Sequence, residues 1–125
     1  MHWFTLILVI GIILYIALPK LKQPSLDSTS EAIKEGACLI DVRTPKEYGQ
    51  QSVPGSINLP LGQLTESMQQ QNISKDSTLI VFCLSGTRSA AAEKKLKEMG
   101  YENVLNAGSY TRALKAWELA QPNLD

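Results

Sequence analysis

The chain has 125 residues, of which 44% are hydrophobic and 19% charged, and its twelve basic and twelve acidic residues cancel. This length suits one domain rather than two, and the charge balance argues against a nucleic-acid binder, which usually carries a basic excess. Two cysteines, Cys38 and Cys83, are too few for a disulfide-stapled scaffold. The only histidine in the sequence is His2, so we expect neither a Cys–His dyad nor a zinc site, and we predict no metal and no cofactor.

An uncharged apolar run, WFTLILVIGIILYIAL, occupies residues 3–18. A membrane-spanning helix needs about 17–25 residues, so this run with its flanking residues is at the lower limit. Trp3 and Tyr15 stand near its two ends, where interfacial aromatic residues are common. We therefore predict a transmembrane helix over residues 1–19 that contacts membrane lipid through residues 3–18, followed by a polar linker at residues 20–27.

A cleaved signal peptide is the alternative for this run. Such a peptide has basic residues before its apolar core and small residues at the cleavage site. Here no Lys or Arg precedes the run, and YIALPKLKQ lacks an A-x-A pattern, which favours an uncleaved anchor. Because Lys20 and Lys22 follow the run, the positive-inside rule predicts a single-pass membrane protein with its domain facing the cytoplasm. The periplasm is the alternative location.

The domain is predicted to begin with a helix, a strand and a second helix. The stretch STSE at residues 28–31 has the capping-box pattern that opens a helix, and Gly36 can close it. The apolar run ACLIDV at residues 37–42 is typical of a buried strand. The stretch TPKE at residues 44–47 is a second capping box, with proline at the first helical position.

Strands and helices continue to alternate along the rest of the chain. We predict strands at residues 56–60, 78–82 and 104–105 and helices at residues 63–71 and 90–99, the latter with an apolar face of Ala90, Ala91, Leu96 and Met99. A last helix carries Tyr110, Ala113, Leu114 and Trp117 at helical spacing. The unbroken apolar run TLIVF at residues 78–82 favours a strand buried on both faces. The order predicts an α/β domain over residues 28–121, with a parallel sheet flanked by helices on both faces.

Cys83 ends the apolar strand and precedes a short loop and a helix. Ligands of open parallel sheets bind at the carboxyl ends of strands, and the reactive form of cysteine is the thiolate. Loop N–H groups, a helix N-terminus and the Arg88 guanidinium can all stabilise an anion on or near sulfur. We therefore predict Cys83 as the catalytic nucleophile, with substrate bound by Leu84, Ser85, Gly86, Thr87, Arg88 and Ser89. For Cys38, at a strand start among core residues, we predict a structural role.

The sequence resembles a single-domain rhodanese, a sulfurtransferase. One signature is the loop CLSGTRS at residues 83–89, and the other is DVR at residues 41–43 with EY at 47–48 and VPGSINLP at 53–60. The resemblance implies a rhodanese-like fold and a Cys83 persulfide, formed from thiosulfate, a persulfide or a polysulfide and passed to a thiol or cyanide. It also implies supporting roles for Asp41, Arg43 and Glu47, although a surface charge and a helix cap explain the last two equally well.

The loop departs from many thiosulfate-using members of that family because Arg88 is its only basic residue. A persulfide, polysulfide or protein donor is therefore an alternative to thiosulfate. A non-catalytic binding module, or a relay that passes sulfur to a membrane partner or another protein acceptor, is the second alternative.

A cysteine-dependent phosphatase or arsenate reductase is the third alternative, but the related enzymes have a loop one residue longer than Cys83–Arg88. A Cys38–Cys83 redox pair is not expected, since the two cysteines fall at opposite edges of a parallel sheet.

Overall fold

The computed structural model describes residues 2–17 and 23–122. Its strands are β1 (Cys38–Asp41), β2 (Ile57–Asn58), β3 (Leu79–Cys83) and β4 (Val104–Ser109). All neighbours pair in parallel, in the order β2-β1-β3-β4. The pairing of β1 with β3 runs from Cys38 opposite Leu79 to Asp41 opposite Phe82, so the ends of both strands reach the same edge. The predicted parallel sheet is confirmed.

Six α-helices lie in the described ranges of the chain. They are α1 (His2–Ala17), α2 (Leu26–Lys34), α3 (Pro45–Gln50), α4 (Leu64–Gln71), α5 (Thr87–Glu98) and α6 (Tyr110–Ala120), and a short 3-10 turn (Leu61–Gln63) precedes α4. Two separate hydrophobic clusters lie on the two faces of the sheet, one with α4 and α5 and the other with α2 and α6. The predicted α/β architecture, with helices on both faces, is therefore confirmed.

The central strand β3 contributes to both clusters because successive side chains of a strand point to opposite faces. Leu79, Val81 and Cys83 belong to the cluster of α4 and α5, while Ile80 and Phe82 belong to the cluster of α2 and α6. All five residues are 0% exposed. The unbroken apolar run in the sequence was thus a correct sign of a strand covered on both faces.

The N-terminal helix α1 is shorter than the predicted membrane span. Its large apolar side chains, from Trp3 to Ile16, are all more than half exposed. Its 16 residues correspond to about 24 Å of helix, whereas the hydrocarbon core of a bilayer is about 30 Å thick. Within the ranges given above, no helix is long and apolar enough to cross a membrane. The structure therefore does not support the predicted transmembrane helix, and the remaining residues of that prediction, 1, 18 and 19, lie outside the described ranges.

The first capping-box prediction is wrong, because α2 begins before it. Ser25 is the N-cap of α2, and its hydroxyl oxygen accepts a hydrogen bond from the Ser28 N–H at 3.1 Å. Leu26 and Asp27, which we expected in the linker, are the first two residues of the helix. The predicted end is correct, since Gly36 follows the helix with a φ of +95°, a value that favours glycine.

The predicted apolar face of α5 is also partly wrong. Ala90 and Ala91 are exposed, whereas Ser89, Ala92 and Leu96 are buried. The helix begins at Thr87, before the predicted start, and its orientation about its axis places Ser89 under the preceding loop. Alanine is small enough for either face, so the sequence pattern did not define this orientation.

Candidate active site

Cys83 is the last residue of β3 and lies beneath the loop that leads into α5. It is 0% exposed, whereas Leu84 next to it is 58% exposed. Gly86 is the N-cap residue of α5 and has a φ of +106°, a left-handed conformation that side chains disfavour. This conformation curls the loop over the sulfur. Glycine is therefore favoured at this position by the backbone conformation and not by a lack of room for a side chain.

Main-chain and hydroxyl groups surround the Cys83 sulfur. The Gly86 N–H donates to Sγ at 2.9 Å, and Ser89 Oγ lies 3.6 Å from Sγ. Burial by itself raises the pKa of the Cys83 thiol, but hydrogen bonds from the Ser89 N–H and hydroxyl and from the Gly86 and Ser85 N–H groups outweigh it. The pKa of Cys83 is consequently lowered, which increases the thiolate fraction at neutral pH.

Ser89 connects the loop to the neighbouring strand. Its hydroxyl donates to the Gly86 carbonyl at 2.9 Å and lies 3.2 Å from the Gly108 carbonyl. A thiol at Cys83 donates to Ser89 Oγ, whereas a thiolate accepts from the same hydroxyl once it has rotated. Because Ser89 is 0% exposed, water does not compete for these contacts. The Ser89 hydroxyl therefore both holds the loop against β4 and contacts the Cys83 sulfur.

Arg88, which we predicted to bind substrate, is paired with Glu47 in this structure. Its Nη1 donates to Glu47 Oε1 at 2.6 Å, and its Nη2 donates to Glu47 Oε2 at 3.0 Å. The pKa of Glu47 is lowered to about 2, mainly by the hydrogen bond from Arg88 and then by the Thr44 N–H. This bidentate ion pair links the start of α5 to the first turn of α3.

The predicted capping box of α3 holds Glu47 in place for Arg88. The Thr44 hydroxyl oxygen accepts from the Glu47 N–H at 3.2 Å, and Glu47 Oε1 accepts from the Thr44 N–H at 3.0 Å. This box is confirmed, with Pro45 as the first residue of the helix. The Glu47 carboxylate therefore serves as helix cap and as partner of Arg88 together.

Asp41 and Arg43 form a buried ion pair at the end of β1. The guanidinium Nε lies 3.0 Å from both carboxylate oxygens, Nη2 donates to Oδ2 at 2.8 Å, and the Arg43 N–H donates to Oδ1 at 2.9 Å. Asp41 is 0% and Arg43 4% exposed. Arg43 also donates to the Gln51 carbonyl at 2.6 Å and stacks on the Tyr110 ring at 4.7 Å. The pair therefore ties β1, the end of α3 and the start of α6 together.

Two cavities adjoin the loop. One of about 350 Å³ is lined by Gln23, Pro24, Ser85, Gly86, Thr87, Ala90, Glu93 and Asn106. The other, of about 450 Å³, is lined by Arg43, Glu47, Gln50, Gln51 and Leu84. The second cavity thus lies between the two ion pairs and the exposed Leu84. Both are candidate approaches for a donor or an acceptor.

Asn106 and Gly108 lie beside the loop but are not among the site residues predicted from the sequence. Gly108 lies close to the loop, since a Cβ on Gly86 would be 3.7 Å from the Gly108 Cα. Strand β4 continues to Ser109, well past the predicted residues 104–105, and its register with β3 shifts so that Gly108 stands opposite Phe82. Asn106 and Gly108 are weak strand formers, which concealed this extension. The φ of Gly108 is +83°, so the glycine itself was the available signal.

Cys38 lies away from this site. In the sheet register it stands opposite Leu79, at the start of β3, while Cys83 is at the end of that strand. Four residues of strand correspond to about 13 Å, beyond the reach of a disulfide. Both cysteines are free thiols, and burial raises the pKa of Cys38. The register thus agrees with the expectation that the two cysteines form no redox pair.

Cys83 lies under a loop of N–H donors at the carboxyl end of a central parallel strand, which is the edge where open α/β sheets bind their ligands. Comparison with known proteins identifies the family. Residues 25–119 match the family described as the Rhodanese-like domain, and the chain belongs to that family. The resemblance inferred from the two signatures is thereby confirmed.

Individual relatives are consistent with this assignment. The chain is 44% identical over 69 residues to the thiosulfate sulfurtransferase PspE of Escherichia coli, covering 55% of this chain and 66% of that protein, slightly less than two thirds. It is 32% identical over 101 residues to the thiosulfate sulfurtransferase GlpE of Pseudoalteromonas translucida, covering 79% and 90%. A solved structure, a rhodanese with anions from Escherichia coli, superposes with a TM-score of 0.59 at 39% identity, covering 62% of this chain and 91% of the other.

Proposed function

We propose that this protein is a rhodanese-type sulfurtransferase with Cys83 as its nucleophile. The observation that carries the proposal is the thiolate cradle, in which the Gly86 N–H and the Ser89 hydroxyl contact a sulfur of lowered pKa. The same donors suit the outer sulfur of a persulfide, which is also an anion. The relatives that bear the name thiosulfate sulfurtransferase support the same activity.

The proposed reaction has two steps and a covalent intermediate. The Cys83 thiolate attacks the outer sulfur of a donor such as thiosulfate, so that an S–S bond to Sγ forms, the donor S–S bond breaks, and sulfite leaves with the electron pair. An acceptor, either a thiolate or cyanide, then attacks the outer sulfur of the Cys83 persulfide. The products are a new persulfide or thiocyanate, and the Cys83 thiolate is restored. Sulfur and charge balance in both steps.

Intact mass spectrometry of the full chain tests this proposal. After reduction, the protein is exposed to thiosulfate or a polysulfide and its mass is measured, with Cys83→Ser and Cys38→Ser beside it. We expect a gain of one sulfur atom in the wild type and in Cys38→Ser, and none in Cys83→Ser. A gain that survives in Cys83→Ser, or no gain with any donor, would contradict the proposal.

Sulfur relay to a protein acceptor is the second candidate function, and the exposure of Leu84 favours it. A single exposed apolar residue is common on protein surfaces, but Leu84 is 58% exposed directly beside Cys83. It also lines the cavity of Arg43 and Glu47, where an approaching protein acceptor would contact it. Relay predicts that a mixed disulfide through Cys83 can be trapped with a protein acceptor and that Leu84→Ser weakens its formation. Fast transfer to small thiols with no trapped protein would argue against relay.

Phosphate transfer has less support than sulfur transfer. The arginine that would bind a phosphate is engaged by both oxygens of Glu47. Turnover of a phosphate ester that disappears in Cys83→Ser would reverse this ranking.

Location is a separate proposal that rests on the sequence. We propose that residues 3–18 associate with membrane lipid and that the domain faces the cytoplasm, because Lys20 and Lys22 follow the apolar run and no basic residue precedes it. The periplasm is the alternative. Protease accessibility of the domain in sealed inverted vesicles and in intact cells distinguishes the two sides, and recovery in the supernatant after high-speed centrifugation would contradict membrane association.

A further inference from the structure

The two arginines that line or follow the nucleophile loop, Arg43 and Arg88, are each paired with a carboxylate. Arg112, beside the first cavity, is bound to the Pro24 carbonyl. Among the described residues that line the two cavities, Arg43 is the only cation, and it is bound to Asp41. Arg88, in the loop sequence itself, is bound to Glu47. A site that selects a dianion would be expected to present a positive charge in excess, as electrostatic complementarity requires.

Glu47 cancels the positive charge that Arg88 would otherwise present at the loop. Its carboxylate takes both guanidinium nitrogens of Arg88, at 2.6 and 3.0 Å, and its position is set by the capping box of α3. Its side chain is 26% exposed and lines the larger cavity, so the negative charge faces the approach to the loop. A second carboxylate, Glu93, lines the other cavity and is paired with Lys97 at 3.4 Å. Both approaches thus carry a carboxylate.

We propose that Glu47 determines the donor class of this site, by cancelling the charge of Arg88 and thereby disfavouring the thiosulfate dianion relative to donors with at most one negative charge. A thiol persulfide is the corresponding donor class. The Cys83 thiolate attacks the outer sulfur of a protonated persulfide RSSH and forms a new S–S bond to Sγ. The donor S–S bond breaks with its electron pair on the leaving sulfur, the proton passes from the transferred sulfur to that leaving thiolate, and the products are RSH and the Cys83 persulfide anion. This inference rests on the proposed sulfur transfer and names Glu47 as the residue that selects the donor.

Two donors that differ by one charge test the inference. Thiosulfate and methanethiosulfonate both present an outer sulfane sulfur, but the first is a dianion and the second a monoanion that leaves as methanesulfinate. We expect Glu47→Gln to raise kcat/KM for thiosulfate about threefold to tenfold. For methanethiosulfonate the rise should be about the square root of that factor. Coulomb energy is proportional to the charge of the donor, so a donor with half the charge gains half the energy.

Two variants separate charge from structure. Glu47→Asp keeps the negative charge but shortens the side chain, so the ratio of the two kcat/KM values should stay at the wild-type value even if both values fall. Glu31→Gln removes a carboxylate from an exposed ion pair with Lys34 on α2 and should leave both values unchanged. An equal effect of Glu47→Gln on both donors, or a change of the ratio in Glu47→Asp as large as in Glu47→Gln, would overturn the inference.

Alkylation of Cys83 gives a readout that does not require sulfur transfer. Iodoacetate and iodoacetamide have similar size but differ by one charge, so the ratio of their rate constants at Cys83 reports the local potential and cancels the thiolate fraction. We expect the iodoacetate-to-iodoacetamide ratio to rise about twofold to threefold in Glu47→Gln and not in Glu47→Asp. If the iodoacetate-to-iodoacetamide ratio does not change in Glu47→Gln, the proposed role of Glu47 is refuted. If the ratio changes but no persulfide forms with any donor, only the sulfurtransferase proposal is refuted.

Discussion

The Ser89 side chain contacts both the Cys83 sulfur and the strand beside it. Its hydroxyl reaches Cys83 Sγ, the Gly86 carbonyl and the Gly108 carbonyl from a fully buried position. No histidine stands near the thiol in the sequence, since the only one is His2. Stabilisation of the thiolate therefore depends on a few hydrogen-bond donors of the loop, and the loss of one should be measurable.

Ser89→Ala should lower the reactivity of Cys83 near neutral pH. The variant removes a donor to the thiolate while the burial that disfavours the charge remains, so the pKa of Cys83 rises. A hydrogen bond to a charged group contributes about 1.5 kcal/mol or more, which corresponds to about a tenfold slower alkylation by iodoacetamide. Measuring that rate against pH should show the profile displaced to higher pH.

Ser85→Ala is the matched control in the same loop. Ser85 acts on Cys83 through its main-chain N–H, which the substitution keeps. Its pH profile should match the wild type, and equal profiles for the two alanine variants would refute the role of the Ser89 hydroxyl.

Gly86→Ala should destabilise the loop although there is room for a methyl group. The nearest atom to an added Cβ is 3.7 Å away, but the φ of +106° is one that alanine rarely adopts. We expect a loss of about 1–3 kcal/mol in the free energy of unfolding and a weaker Gly86 contact with Sγ. Urea unfolding and alkylation of Cys83 measure the two effects.

Gly49→Ala, within α3, supplies the comparison for that substitution. Its φ is not in the left-handed region and nothing lies within 4 Å of the added Cβ. The substitution should stabilise the protein by about 0.5–1 kcal/mol, since alanine is the better helix former. If both glycine variants lost stability equally, backbone strain at Gly86 would not be the cause.

The secondary-structure elements around the site are joined by ion pairs rather than by apolar contacts alone. Asp41 with Arg43 connects the end of β1 to α3 and α6, and Glu47 with Arg88 connects α3 to α5. Helix α3 has no buried residue of its own. Its position beside the loop therefore depends on these polar contacts and on its capping box.

Asp41→Asn should strongly destabilise the protein. It leaves the Arg43 charge buried without a carboxylate, and breaking a buried ion pair on one side costs about 3–5 kcal/mol. The expected result is a much lower urea midpoint with an unchanged m-value. Glu31→Gln, which breaks an exposed ion pair, should change the free energy of unfolding by less than about 1 kcal/mol. Similar losses in both variants would mean that the burial of the Asp41 pair contributes nothing.

At the scale of the whole molecule, the Glu47–Arg88 pair makes the free energy of unfolding depend on pH. The pKa of Glu47 is about 2 in the folded protein against an ordinary value of 4.5. A depressed folded-state pKa gives a stability contribution that is complete above the ordinary value and is lost as the pH falls from about 4.5 towards about 2. Acid should therefore weaken the link between α3 and α5.

Comparison of wild type with Glu47→Gln isolates this contribution. Urea unfolding from neutral pH down to about 3 should show a stability difference between the two proteins that is constant above about pH 5.5 and shrinks below it. High salt should reduce the difference, since both partners are partly exposed. A difference that does not depend on pH would show that the carboxylate charge is not its source.

Much of this architecture could be predicted from the sequence because the signals are local. The TPKE capping box, the glycine at the end of α2 and the unbroken apolar strand each follow from contacts or burial within a few residues. The predicted start of α2 failed because three serines, at residues 25, 28 and 30, compete for the same capping role and only the geometry selects Ser25. Strand β4 was predicted too short because Asn106 and Gly108, which follow its first two residues, are weak strand formers.

By itself, the sequence determined the α/β class, the parallel sheet and the position of Cys83 at the end of a buried strand. Periodicity, capping and glycine placement determine such features, and they act over short distances along the chain. Only the tertiary structure decided the partner of Arg88, because Glu47 is 41 positions away and reaches it through the order of strands in the sheet. The same topology brought Gly108 beside the loop. The charge at the site is therefore a property of the fold, since it depends on which distant side chains the sheet brings together.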